Sequence, residues 1–138
     1  MSDPLEPWQR AFLAEKRYAV LGTRNPSGSP HLTAMWYLLD GDEIVFNTAD
    51  GRAKPRNIAL DPRVSFIVVD RNGYPFVRID GRVRTIDDPA TTQADIRRIA
   101  LRYYEDEARV ERAMRESFGT QRRISYRLPI GRVYAARR

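Results

Sequence analysis

The chain of 138 residues contains no cysteine. Disulfides, thiolate nucleophiles and cysteine-ligated zinc or iron–sulfur centres are therefore excluded by inventory. It has a single histidine, His31, beside a proline at the start of a strand-forming run; a turn or surface role is expected there rather than a metal ligand or general base. Lysine is scarce as well, two residues against twenty-two arginines, a bias that follows from GC-rich coding more simply than from chemistry. No apolar run approaches the roughly 20 residues that span a bilayer. The opening segment MSDPLEPWQR lacks the basic-then-apolar layout of a secretion signal, so a cytoplasmic protein with no membrane part is expected. Catalytic side chains are missing too. No serine lies near a histidine in a nucleophile motif, and Asp87-Asp88 runs into Pro89 as a helix cap rather than a carboxylate dyad. The expectation is no catalytic side chain and no metal site, with the chemistry carried by a cofactor.

What is present begins with charge. The formal net charge is +6, and the excess lies wholly in residues 81–138, with fourteen arginines against eight acids. On stretches such as YYEDEARVERAMRE the two signs alternate, as on a solvated, ion-paired helix face, so no nucleic-acid partner is expected. The length suits a single domain over residues 1–138 that buries a core without staples.

Periodicity supplies the elements. Asp3-Pro4-Leu5-Glu6 reads as a helix cap, with Leu5, Trp8, Phe12 and Leu13 on one face to about Lys16. Strand-forming runs follow at 18–24, 31–39, 43–48, 63–70, 76–86 and 124–134, separated by turn residues such as Asn25-Pro26-Ser27-Gly28 and Arg71-Asn72-Gly73. A bend is expected at Gly81 and a kink at Pro129. One short helix, 52–60, interrupts the strands, and a helical pair occupies the stretch before the last of them. Six strands with tight turns point to a closed or split β-barrel.

The segment Asn47-Thr48-Ala49-Asp50-Gly51-Arg52-Ala53-Lys54-Pro55-Arg56-Asn57 concentrates positive charge at the start of a helix. A helix N-terminus already carries partial positive charge and free N–H groups, so Arg52, Lys54 and Arg56 repel it unless an anion sits among them. Forked guanidinium groups and an ammonium within five residues suit phosphate oxygens. An ordinary solvated basic turn is the alternative at this stage. Met35, Trp36, Tyr37 and Phe46, with Tyr74 and Phe76, could flank a planar ring or simply fill core and interface.

The order and spacing of Gly28-Ser29-Pro30-His31-Leu32, Ile44-Val45-Phe46-Asn47-Thr48, Arg52-Ala53-Lys54-Pro55-Arg56-Asn57-Ile58, Asp61-Pro62-Arg63-Val64-Ser65 and Leu128-Pro129-Ile130-Gly131-Arg132-Val133-Tyr134 resemble the pyridoxamine-phosphate-oxidase-like split barrels, in particular their flavin- and deazaflavin-dependent oxidoreductases. The resemblance implies a mainly β, six-stranded FMN-binding split barrel with helices. It implies a homodimer whose sites are completed across chains, and a reductase that transfers a hydride from the deazaflavin coenzyme F-420 to an unsaturated or conjugated small molecule. An FMN-binding oxidase or flavin reductase is the alternative. By the same resemblance Arg52 and Lys54 hold the cofactor phosphate with Arg56 and Asn57 nearby. The strand containing Thr33, Met35, Trp36 and Tyr37 lies along the ring, and Asn47 and Thr48 reach its edge or ribityl chain. Tyr74, Arg78 and Arg132 are the expected partner-chain contributors.

Overall fold

The computed structural model describes residues 3–137. Nine strands form two antiparallel sheets: β1 (Ala19–Arg24), β2 (Pro30–Met35), β3 (Leu38–Asp40), β4 (Glu43–Ala49), β5 (Arg63–Val69), β6 (Phe76–Arg82), β7 (Arg84–Ile86), β8 (Arg123–Pro129) and β9 (Arg132–Ala136). One sheet runs β2-β1-β5-β6-β9 and the other β3-β4-β8-β7. The sheets do not close into one barrel, and the expected six strands become nine. Three of the six apolar runs each break and continue in the other sheet: at Trp36-Tyr37, at Val83, and at Ile130-Gly131. A period-two pattern reads straight through such a break, because the chain stays extended while its hydrogen-bond partner changes.

The core lies between the sheets. Leu21, Phe66, Val68, Val77 and Ile79 face Ile44, Phe46, Tyr126 and Leu128, all essentially sealed from solvent. Helix α1 (Pro7–Ala14) adds Phe12 and Leu13. It starts three residues later than the Asp3-Pro4 reading. Glu6 and Gln9 cap it reciprocally with Pro7 in the first turn, whereas Asp3 accepts from the Leu5 N–H and pairs with Arg10. Gly81 is also not a bulge. It pairs in register with Val64, and a Cβ there would stand 3.1 Å from Leu128 Cδ1, so the glycine makes room for the facing sheet.

Helix α2 (Ala53–Leu60) follows β4, while α3 (Pro89–Tyr104) and α4 (Glu107–Glu116) precede β8. Helix α3 packs its Ile96, Ile99 and Tyr103 against Trp36 and Leu38 to form a second, smaller core on the outer face of the four-stranded sheet. The polar groups beneath α3 are matched. Asp95 accepts from Arg127 at 2.8 and 3.2 Å and from Arg98 at 3.0 Å. Among the described residues no helix is long and apolar enough to cross a membrane.

Candidate anion site at the β4–α2 turn

Strand β4 delivers the chain into Asp50-Gly51, and α2 opens at Arg52 with no side-chain cap and no acid in its first turn. Gly51 makes that turn possible at φ +87°, with nothing within 4 Å of the position a Cβ would take. Gly51→Ala is thus a test of backbone conformation alone, expected to cost about 1–2 kcal/mol in urea unfolding, with the slope unchanged.

The charges around this turn are not matched. Asp50, the acid within it, is held by Arg122 at 3.3 Å. The side chains of Arg52 and Lys54 make no hydrogen bond or ion pair among the described residues. Lys54 is only 9% exposed, and burial, followed by the fields of Arg52 and Arg123, holds its ammonium below the ordinary lysine range. Arg123 enters from the start of β8, where the β4–β8 register sets it opposite Ala49 at the same end of the sheet. It too is buried, 7% exposed. Its guanidinium donates from Nε to Asn47 Oδ1 at 2.6 Å and from Nη1 to Gln121 Oε1. Burial first, and then Arg52, pushes its pKa down to about 10. Beside the turn a cavity of about 360 Å³ opens between Arg52 and Arg56, floored by Ala53, Ala59 and Ile124. Asp50 also lines this cavity but is held by Arg122, so that Arg52, Lys54 and Arg123, from two distant segments, have no carboxylate partner of their own. That arrangement resists itself until an anion enters, and it suits phosphate oxygens in charge and donor number.

The other sequence-derived candidates separate. Arg56 shares the cavity and donates to Asn57 Oδ1 at 3.2–3.3 Å. Asn57 is fully buried and gives its amide N–H groups to Thr23 and Asn25 at 3.1 and 3.0 Å, so it ties α2 to β1. Asn47 is engaged on every side, donating to the Thr92 carbonyl and Ser125 Oγ while accepting from Arg123. Thr48 points into the space between the sheets with its Oγ1 buried and unpartnered, and Thr33 shares the inward face of β2 with Met35. Met35 and Tyr37 are core; the Tyr37 hydroxyl donates to the Leu13 carbonyl at 2.8 Å. Trp36 stacks on Tyr103 with centroids 4.9 Å apart, in the small core under α3 and not along the inner face. Tyr74 is partly exposed at the loop entering β6. Arg78 and Arg132 stand on the outer face of the five-stranded sheet, where Arg78 reaches Asp80 at 3.1 Å and Arg132 borders a groove of about 780 Å³ floored by Gly22, Ser65 and Gly81. Arg123 had no local signal, lying more than sixty residues beyond the turn it joins.

The profile of the pyridoxamine 5'-phosphate oxidase family matches residues 5–128. The chain belongs to that family. Its fold is similar to that of a protein named F420 Reductase, at 24% identity and TM-score 0.75 over 94% of this chain and 98% of that one. A conserved hypothetical protein from Mycobacterium tuberculosis is similar at 28% identity and TM-score 0.76, covering 95% and 84% of the two chains. A heme binding protein from Mycobacterium smegmatis matches at 23% identity and TM-score 0.66, over 92% of this chain and 51% of that one. Proteins of different description thus share this fold, so its use must be argued from this chain's own site.

Proposed function

We propose that this family member is an oxidoreductase that binds the deazaflavin coenzyme F-420 and reduces an unsaturated or conjugated small molecule in the cytoplasm. The observation that carries the reading is the cluster at the β4–α2 turn, in which Lys54 and Arg123 are buried, Arg52 is exposed at the mouth, and none of the three has a carboxylate partner. These residues would hold the cofactor phosphate. The cofactor, when bound, supplies the hydride, and the protein binds, orients and shields. No side chain acts as acid or base in this scheme.

A second reading, an FMN-binding oxidase or flavin reductase, draws on the same cluster, because three unmatched cations also suit the doubly charged phosphomonoester of FMN. Calorimetric titration with both cofactors separates the two. Tighter binding of F-420 is expected; equal or tighter binding of FMN overturns the choice. Turnover of the reduced coenzyme against quinones, enones and tetrapyrroles then assigns the substrate class.

The working form in this proposal is a homodimer. The outer face of the five-stranded sheet carries Val20, Ala34 and Ile67 as cross-strand neighbours, with Leu32 69% exposed beside them. A second copy covering this face would bury an apolar surface and carry Arg78 and Arg132 toward the other site. Such an interface needs about 1,000 Å² or more, so sedimentation at micromolar concentration is expected to give a dimer. Monomer alone, with cofactor present, would remove this part of the proposal.

A further inference from the structure

The anion site contains an internal comparison. Arg123 and Arg127 lie four residues apart on the same face of β8, both directed beneath α3. Arg127 receives a matched carboxylate in Asp95, with two contacts at 2.8 and 3.2 Å. Arg123, more deeply buried, receives no carboxylate: its partners are the neutral amide oxygens of Asn47 and Gln121 and the ring of Phe118, 5.1 Å from the guanidinium carbon. A fold that needed only to satisfy a guanidinium at this position could use the same solution twice. Instead Arg123 is left without a carboxylate at the position opposite Ala49, next to the basic turn.

We propose that Arg123 is a ligand-contacting arm of the anion site, and that Asn47 and Gln121 are positioning residues that aim it; the proposal rests on the phosphate reading above. The two amide oxygens engage Nε and Nη1 and leave Nη2 without a partner. Neither Nη2 of Arg123 nor Nζ of Lys54 is among the sealed unpartnered atoms, so both reach accessible space from side chains that are otherwise more than nine-tenths buried. Arg52 completes the group from the mouth of α2, and its field reaches both of the others. Fixing a guanidinium from two sides makes its remaining N–H groups a pre-organised donor pair, which limits the side-chain entropy lost when an oxyanion binds. Asn47 therefore acts through Arg123 rather than by touching the cofactor. Its own amide N–H groups are already spent on Thr92 and Ser125.

Inorganic phosphate is the probe, titrated against chloride at matched ionic strength, with FMN and F-420 run in parallel to tell monoester from diester. Arg123→Met is expected to weaken phosphate binding about tenfold or more. Gln121→Glu keeps every heavy-atom position but sets a carboxylate on the guanidinium. It is expected to weaken phosphate binding several-fold, with the melting temperature of the free protein unchanged or higher, which a merely structural Arg123 would not produce. Wild-type phosphate affinity in both variants, alongside loss in Lys54→Met, overturns the role of Arg123 and leaves the phosphate reading standing. Wild-type affinity in all three, or no effect of phosphate beyond chloride on the unaltered protein, overturns both.

Discussion

Lys54→Met is expected to weaken binding of the phosphate-bearing cofactor about ten- to a hundredfold, while raising the melting temperature of the protein without cofactor. The first part follows from removing one charge-assisted contact, worth roughly 1.5–3 kcal/mol. The second follows from burial. Lys54 holds a cation at 9% exposure beside Arg52 and Arg123 with nothing to offset it, and methionine fills a similar volume without the charge. The pH dependence has a definite sign. Because the folded pKa lies below the ordinary 10.5, the unfolded chain holds the Lys54 proton more tightly. Wild-type stability should therefore rise with pH as the folded lysine deprotonates below about 10.5, and this rise should be missing in Lys54→Met. Below the folded pKa both states are protonated and the destabilisation is at its full value. Titration calorimetry and thermal melts on the same samples check the two halves. Intact affinity with a lowered melting temperature would make Lys54 a structural residue and remove the phosphate assignment.

Asp95→Asn should be the more damaging change to the fold. Asp95 is 3% exposed. Burial alone would lift its pKa, but hydrogen bonds from Arg127, Ser125 and Arg98 outweigh that and hold the carboxyl below its usual range. Removing one partner of a buried pair leaves the other uncompensated, which costs about 3–5 kcal/mol and for a chain this size lowers the melting temperature by roughly 10 °C or more. A depressed folded pKa means that the stabilisation is complete above the unfolded carboxylate's pKa. It is lost as pH falls through the lower folded value. The gap between wild type and Asp95→Asn in urea midpoint should thus be largest near neutrality and narrow below about pH 4. A gap that does not change with pH would show that the charge on Asp95 does not hold α3 to the sheet. Helix α3 also supplies the Thr92 carbonyl to Asn47, so some loss of phosphate affinity should accompany the loss of stability.

Much was legible along the chain, because many of the signals are local. Turn residues, alternating apolar runs and the helical spacing of Ile96, Ile99 and Tyr103 each act within one or two turns of chain, and the structure places elements where they point. The basic stretch Arg52-Ala53-Lys54-Pro55-Arg56 was visible as a cation-rich helix start for the same reason. The order of motifs along the chain also sufficed to indicate the family to which residues 5–128 match. Pairing decided the rest. Whether an extended run stays in one sheet or passes to the other depends on which distant strand bonds to it, so six runs became nine strands at Trp36-Tyr37, Val83 and Ile130-Gly131. Burial is equally non-local: Lys54 reads as an exposed turn lysine and is instead enclosed. Asn47 and Asn57, polar and near the basic turn in sequence, are drawn into bonds with Ser125 and Thr23 on other strands, and Trp36 turns away to stack on Tyr103. Arg123 joins the site because the β4–β8 ladder sets it opposite Ala49. The sequence alone determined the helices and extended runs, the family and the concentration of positive charge at one turn. Only the tertiary structure decided how that charge is buried and which arginine from the far end of the chain completes it, since both depend on contacts between residues that no local pattern links.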